Sequence, residues 1–155
     1  MSVRIFIHGL ESSGSGYKGR FFRKIFPDIL TPDFKGSLEE RLEALKDVLK
    51  KYNDIKMIGS SFGGLMATVY ALEFPHKVSK LILLAPALSF GEYLLSGKTI
   101  YADTTVYHGI NDSVVPLEPV KKISEKIFKK LKFYEVADDH LLHNTIGKIN
   151  WKEIL

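Results

Sequence analysis

The sequence predicts an α/β fold in which helices cover both faces of a parallel sheet of about six strands. Three observations carry the prediction. Short β-branched runs recur along the chain with helix-period patterns between them, and several of the runs are apolar nearly throughout, as strands covered on both faces must be. No composition shift or linker interrupts the 155 residues, 45% of them hydrophobic, so one domain spanning residues 1–155 is expected.

The elements follow in order. "VRIFI" (Val3 to Ile7) opens the sheet and "DIL" (Asp28 to Leu30) reads as a second strand. In "SLEERLEALKDVLKKY", Leu38, Leu42, Leu45 and Leu49 form an apolar stripe at helical spacing, and Ser37 with Glu40 fits a capping box. "IKMI" (Ile55 to Ile58) is the third strand; the helical pattern "FGGLMATVYALEF" follows it up to Pro75. "KLILLA" (Lys80 to Ala85), "TTVYH" (Thr104 to His108) and "KFYEV" (Lys132 to Val136) complete the strands. Before the last of them, "KKISEKIFKKLK" (Lys121 to Lys132) places Ile123, Ile127 and Leu131 on one helical face, and "HNTIGKINWKEIL" reads as a closing helix.

Composition removes several functions. The chain has no cysteine, which excludes thiolate nucleophiles, disulfides and cysteine zinc sites. The net charge of +4 is densest in the Lys121 run, whose lysines occupy the polar face of a helix without interleaved aromatics or a reading motif, so no nucleic-acid partner is expected. The apolar run in "MSVRIFIHG" is too short for a signal peptide, and no segment approaches the ~20 apolar residues of a spanning helix. A soluble, cytoplasmic protein without a membrane partner is the expectation.

Parallel sheets bind ligands at the carboxyl ends of their strands, so the residues just beyond each strand matter most. After "IKMI" come Gly59, Ser60, Ser61, Phe62 and Gly63, and then a helix: the strand, tight turn and helix that a nucleophile elbow requires. Ser61 holds the central position; taken alone it reads equally well as a helix cap. Ser60 reads as packing beneath the turn. After "TTVYH", the loop "HGINDSVVP" carries Asp112, and after "KFYEV", "ADDHLLH" carries His140. Serine, aspartate and histidine thus occur in the chain order of a Ser-Asp-His triad, each beyond a different strand. A hydroxyl is a poor nucleophile at neutral pH and needs a base such as histidine, which a carboxylate holds in the right tautomer. His143 competes with His140 as base, and Asp138 and Asp139 compete with Asp112, although residues adjacent to His140 reach its far nitrogen with difficulty.

"IHGLESSGSG" begins as the first strand ends. Acyl transfer develops an oxyanion, and each backbone N–H aimed at it contributes about 2.7 to 4 kcal/mol. The N–H groups of Phe62 and Leu10 are the candidates; His8 reads as a structural residue of the loop. Two other motifs overlap here. Gly14, Gly16 and Gly19 spell GxGxxG, but several residues after the strand and without the acidic ribose partner. A phosphate loop would need lysine where Ser15 stands. Asp138, Asp139, His140 and His143 lack the spacing of a zinc helix. No cofactor and no metal are expected.

On "HGLESS", "GSSFGG" with Ala67 beyond it, "LLAPA", "HGIND" and "DDH", the sequence resembles the α/β hydrolases, and among them small bacterial esterases of the YqiA type. The resemblance implies Ser61 as nucleophile, Asp112 as acid, His140 as base, and Leu10 and Phe62 as oxyanion donors. Larger members begin with additional strands, which implies six here. Many also carry a cap domain where this chain has only "LSFGEYLLSGKTIYAD", enough for a flap or one short helix, so an open site is implied. Leu88, Phe90 and Tyr93, with Leu94, form an apolar wall for an acyl chain or pack on the sheet. The expectation is a serine hydrolase of short to medium esters or thioesters, a monomer or weak homodimer. A hydrolase-fold protein that has lost catalysis and binds a ligand or partner is the alternative.

Overall fold

A computed structural model describes residues 1–155. The elements are β1 (Ser2–Ile7), α1 (Tyr17–Ile25), α2 (Leu38–Leu49), β2 (Asp54–Ser60), α3 (Phe62–Glu73), β3 (Val78–Leu84), α4 (Glu92–Leu95), β4 (Asp103–Gly109), α5 (Leu117–Ile127), β5 (Leu131–Val136), α6 (His143–Ile146) and α7 (Trp151–Ile154). All five strands are parallel and lie in the order β1-β2-β3-β4-β5.

The expected "DIL" strand is reduced to a single bridge between Ile5 and Leu30. The Phe6 N–H donates to the Leu30 carbonyl at 2.9 Å and the Leu30 N–H to the Arg4 carbonyl at 3.0 Å, and there pairing stops. Pro27 and Pro32 flank the segment; neither has an N–H to extend a ladder. This rudiment places the topology. From β1 the chain moves outward to Leu30, then returns past β1 to β2 on the other side. The winding direction therefore reverses between β1 and β2, and the crevice at such a switch point is where open α/β sheets bind ligands.

The period-2 alternation of the strands builds two cores. Ile5 and Ile7 of β1, Ile55 and Met57 of β2 and Leu81 and Leu83 of β3 face a cluster completed by Leu45 and Leu49 of α2, Leu65, Met66 and Tyr70 of α3 and Val120 and Ile123 of α5. Phe6, Ile58, Ile82 and Leu84 face the opposite way, onto Phe22 and Phe26 near α1 and Ile146 and Trp151 near the C-terminus. The Trp151 indole N–H is satisfied by the Ile146 carbonyl at 2.9 Å, and its ring meets Phe22 edge-on at 4.7 Å.

The Ser37–Glu40 capping box forms at the start of α2 as its spacing requires. Two helices differ from the periodicity. The lysine-rich helix starts earlier, at Leu117 after Pro116, and ends at Ile127, so Leu131 belongs to β5 and not to the helix face with Ile123 and Ile127. The closing segment is two single turns, separated by Gly147 to Asn150. The connection between β3 and β4 contains only a one-turn 3-10 helix (Leu88–Gly91) and α4. No helix is long and apolar enough to cross a membrane.

Candidate active site

Ser61 stands between β2 and α3 with φ 54° and ψ −118°, a conformation that side chains other than glycine rarely adopt. Its neighbours impose it. The Ser61 N–H donates to the Leu84 carbonyl, and the Ser61 carbonyl accepts from Gly64 and Ala87, each at 2.9 Å. The glycines allow the surrounding backbone to close in: a Cβ on Gly63 would collide with the Ile7 carbonyl and lie 2.6 Å from the His8 carbonyl, and one on Gly64 would lie 2.7 Å from Pro86. The reversal lifts the hydroxyl out of the sheet at the switch point.

The three triad candidates, distant in the chain, meet here. His140 Nε2 is 3.0 Å from Ser61 Oγ, and His140 Nδ1 is 2.8 Å from Asp112 Oδ2. With a carboxylate opposite Nδ1, that nitrogen carries the proton and donates, leaving Nε2 to accept from the serine hydroxyl. The Asp112 side chain is fully buried; its Oδ1 accepts the N–H groups of Val114 at 2.9 Å and Val115 at 2.8 Å, which turns Oδ2 toward His140. His140 keeps 17% of its side chain exposed, at the mouth of the site.

The competing residues have other work. His143 is exposed and its ring lies on Tyr17, centroids 4.2 Å apart. Asp138 accepts from the Asp139 N–H at 2.8 Å and, through Oδ2, from the N–H and the hydroxyl of Thr145 at 2.9 and 2.8 Å. Burial raises its pKa, but the Thr145 hydroxyl and the surrounding N–H donors outweigh burial and hold the carboxyl below its usual range. Asp138 thus ties down the turn that carries His140. Gly109 lets that turn lie against the end of β4, because a Cβ there would meet the Asp138 and Asp139 carbonyls. Asp139 caps the same turn by accepting from the Leu141 N–H at 3.0 Å.

His8 is fully committed: Nδ1–H donates to the Gly9 carbonyl at 2.7 Å, and Nε2 accepts the Phe34 N–H at 2.8 Å. It clamps the loop after β1 to the segment before α2. Gly9 consequently lies against the elbow, its Cβ position 3.2 Å from Ser61 Cβ and 3.8 Å from the Phe62 N. Phe62 is the first residue of α3, where an N–H has no intrahelical acceptor. The Leu10 N–H meets no backbone carbonyl. Phe62 follows the serine directly, and Leu10 follows Gly9, the residue that lies against it. The GxGxxG glycines serve packing: the Gly14 N–H donates to Asp33 Oδ1 at 2.7 Å, and Gly19 closes against Gly14.

The proposed apolar wall divides. Leu88 is completely buried in the main core and is a packing residue, because the 3-10 turn points it into the sheet. Phe90 and Tyr93 are exposed at 56% and 77%. Leu10, Ile110, Val114 and Leu141 are exposed as well, all in loops that leave the carboxyl ends of strands.

Two buried residues near the site were not among the candidates. His108, fully buried at the end of β4, donates from Nε2 to the Val115 carbonyl at 2.8 Å, with Asp112 Oδ2 3.3 Å away. Burial lowers its pKa and the nearby His140 adds to that, against the Val115 carbonyl and Asp112, so it is neutral beside the aspartate. Its place before a glycine at a strand end was the available signal. Arg41, 6% exposed, sits on the core face of α2 among the leucines of the apolar stripe. No three His, Asp or Glu side chains converge as a metal site.

A family model for the alpha/beta hydrolase fold matches residues 35–105. A predicted CIB-like hydrolase from Thermoplasma acidophilum superposes with a TM-score of 0.73 at 22% identity, over 92% of this chain and 78% of its own. The chain has the alpha/beta hydrolase fold. A putative YdeN-like hydrolase from Pectobacterium atrosepticum gives 0.79 at 16% identity, over 97% and 86%. Est1E from Butyrivibrio proteoclasticus, solved with ferulic acid bound, gives 0.75 at 17%, over 95% and 84%. No curated protein sequence matches the chain. Within this fold Ser61, Asp112 and His140 lie beyond the ends of β2, β4 and β5.

Proposed function

We propose that the protein is a serine hydrolase that cleaves carboxylic esters or thioesters of short to medium acyl chains through an acyl-enzyme. The observation that carries this reading is the unbroken hydrogen-bonded line from Ser61 Oγ through His140 to Asp112 Oδ2. Ser61 Oγ attacks the substrate carbonyl while His140 Nε2 takes its proton; Asp112 holds the imidazole by Nδ1 and stabilises the imidazolium. The carbonyl oxygen becomes an oxyanion in front of the Leu10 and Phe62 N–H groups and the N-terminus of α3. As the intermediate collapses, the ester C–O or thioester C–S bond breaks, and His140 returns the proton to the leaving alcohol or thiol. Water, deprotonated by the same Nε2, then releases the acid and restores Ser61.

The exposed apolar side chains around the strand ends and the short connection between β3 and β4 favour an open site for a modest acyl chain. A small-molecule ester is the partner, and no cofactor takes part. A fluorophosphonate probe tests the nucleophile by intact mass. One adduct on the wild type and none on Ser61→Ala is expected, with kcat on 4-nitrophenyl esters reduced roughly 10⁴-fold or more in Ser61→Ala and His140→Ala. No wild-type adduct rejects the proposal in favour of a non-catalytic ligand-binding protein, and an adduct surviving Ser61→Ala rejects Ser61 as the nucleophile.

A further inference from the structure

Arg41 is a buried permanent cation that forms no ion pair. It lies 6% exposed at the first turns of α2, and none of the ion pairs in the protein includes it. The guanidinium has one acceptor, the Gly36 carbonyl, 2.9 Å from Nε. Nη1 is buried without a partner. Its carbon sits 5.5 Å from the centre of the Phe62 ring, so the guanidinium borders the residue whose N–H faces the developing oxyanion. The ring of Phe34, whose N–H His8 holds, lies on the segment directly before Gly36.

A charge removed from water needs either a counter-charge or a full set of acceptors. The Phe62 ring supplies partial compensation through its π face, and the Gly36 carbonyl occupies only the Nε side. The opposite edge, Nη1 with Nη2, has no protein acceptor, and this is the edge that binds a carboxylate by two parallel hydrogen bonds. Helix α2 has leucines available at neighbouring core positions, and an uncharged residue at 41 would have avoided the penalty.

We infer that Arg41 forms an anion subsite beside Phe62, the residue that follows Ser61, that it recognises a carboxylate carried by the substrate, and that the preferred substrates are carboxylate-bearing esters. The inference rests on the serine-hydrolase reading for its turnover but not for its binding. The carboxylate could belong to the acyl group or to the leaving alcohol; the chemistry at Arg41 is the same.

Two substrate pairs distinguish these sources: 4-nitrophenyl hydrogen glutarate against 4-nitrophenyl pentanoate for the acyl side, and 3-carboxyphenyl butyrate against phenyl butyrate for the alcohol side. The quantity read is the charged-to-neutral ratio of kcat/KM, compared between wild type and Arg41→Met, which keeps bulk against Phe62. A fall of at least tenfold in one pair is expected, with Arg41→Lys between the two. Equal ratios in wild type and Arg41→Met for both pairs would overturn the subsite while leaving the hydrolase reading in place. Thermal stabilisation by millimolar glutarate, measured on wild type and on Ser61→Ala, should be present in both and absent from Arg41→Met. This arm stands if no ester is turned over, and its failure in the wild type, together with an unchanged ratio, rejects the proposal. If Arg41→Met does not fold, Arg41→Lys and Arg41→Gln carry the same comparison.

Discussion

Replacing Ser61 by glycine and by alanine should separate backbone strain from catalysis. Both variants lose the hydroxyl, yet they differ at the backbone. Alanine keeps a Cβ at φ 54°, ψ −118°, where a side chain costs about 1–3 kcal/mol. Glycine enters that region freely but loses about 0.5–1 kcal/mol more chain entropy on folding. The glycine variant should therefore be more stable than the alanine variant by roughly 1 kcal/mol, the reverse of the usual order. For a chain of 155 residues this corresponds to a melting temperature about 2–4 °C higher. Calorimetry or circular dichroism melts of the two variants at one pH provide the assay. A glycine variant melting below the alanine variant would mean that Ser61 is not strained and that the hydrogen bonds to Leu84, Gly64 and Ala87 do not hold an elbow.

Other outcomes follow from the contacts around the site. Gly63→Ala should lower soluble yield or cost more than about 4 kcal/mol in urea unfolding, since its methyl would collide with the Ile7 carbonyl and β1 must move away. Thr145→Val removes one of the two donors to Asp138 Oδ2 and should cost about 1–2 kcal/mol at pH 7. Because Asp138 titrates below its usual range, its stabilisation is present above pH ~4 and disappears as pH falls through its depressed pKa, so the gap between wild type and variant should narrow in acid. His108, whose pKa is lowered in the fold, binds fewer protons folded than unfolded; the wild type should lose stability relative to His108→Gln as pH falls below about 6.5. Urea midpoints at pH 8 and pH 5.5 read this directly, and an unchanged difference would mean that His108 is not held neutral.

Much of the fold and site could be read locally, because each signal was confined to a few consecutive residues. The apolar runs Ile55 to Ile58 and Lys80 to Ala85 could only be buried strands, Ser37 and Glu40 close a cap within one turn, and glycines around Ser61 are required wherever backbone must approach an elbow. The chain order of Ser61, Asp112 and His140 after three strand ends was similarly legible. Three features were not. Leu131 fits a helical face and a strand equally well, and the pairing of Thr104 with Leu131 on β4 decides between them. "DIL" has the composition of a strand, but its length is set by flanking prolines and by its place at an edge, so one bridge is all that forms. Leu88 could face solvent or the sheet until the 3-10 turn directed it inward.

The sequence by itself determined the residue types of the proposed acyl-transfer site and the strand ends beyond which they sit, since hydrophobic period and turn chemistry act over a few residues. Tertiary structure alone decided that His140 Nε2 lies 3.0 Å from the Ser61 hydroxyl, that Asp112 pairs with His140 while Asp138 holds Thr145, and that His108 and Arg41 are buried. The reason is physical: hydrogen bonds and burial depend on distances between remote segments, such as Ser61 and His140, 79 residues apart, and those distances exist only once the sheet has brought the strand ends to one edge.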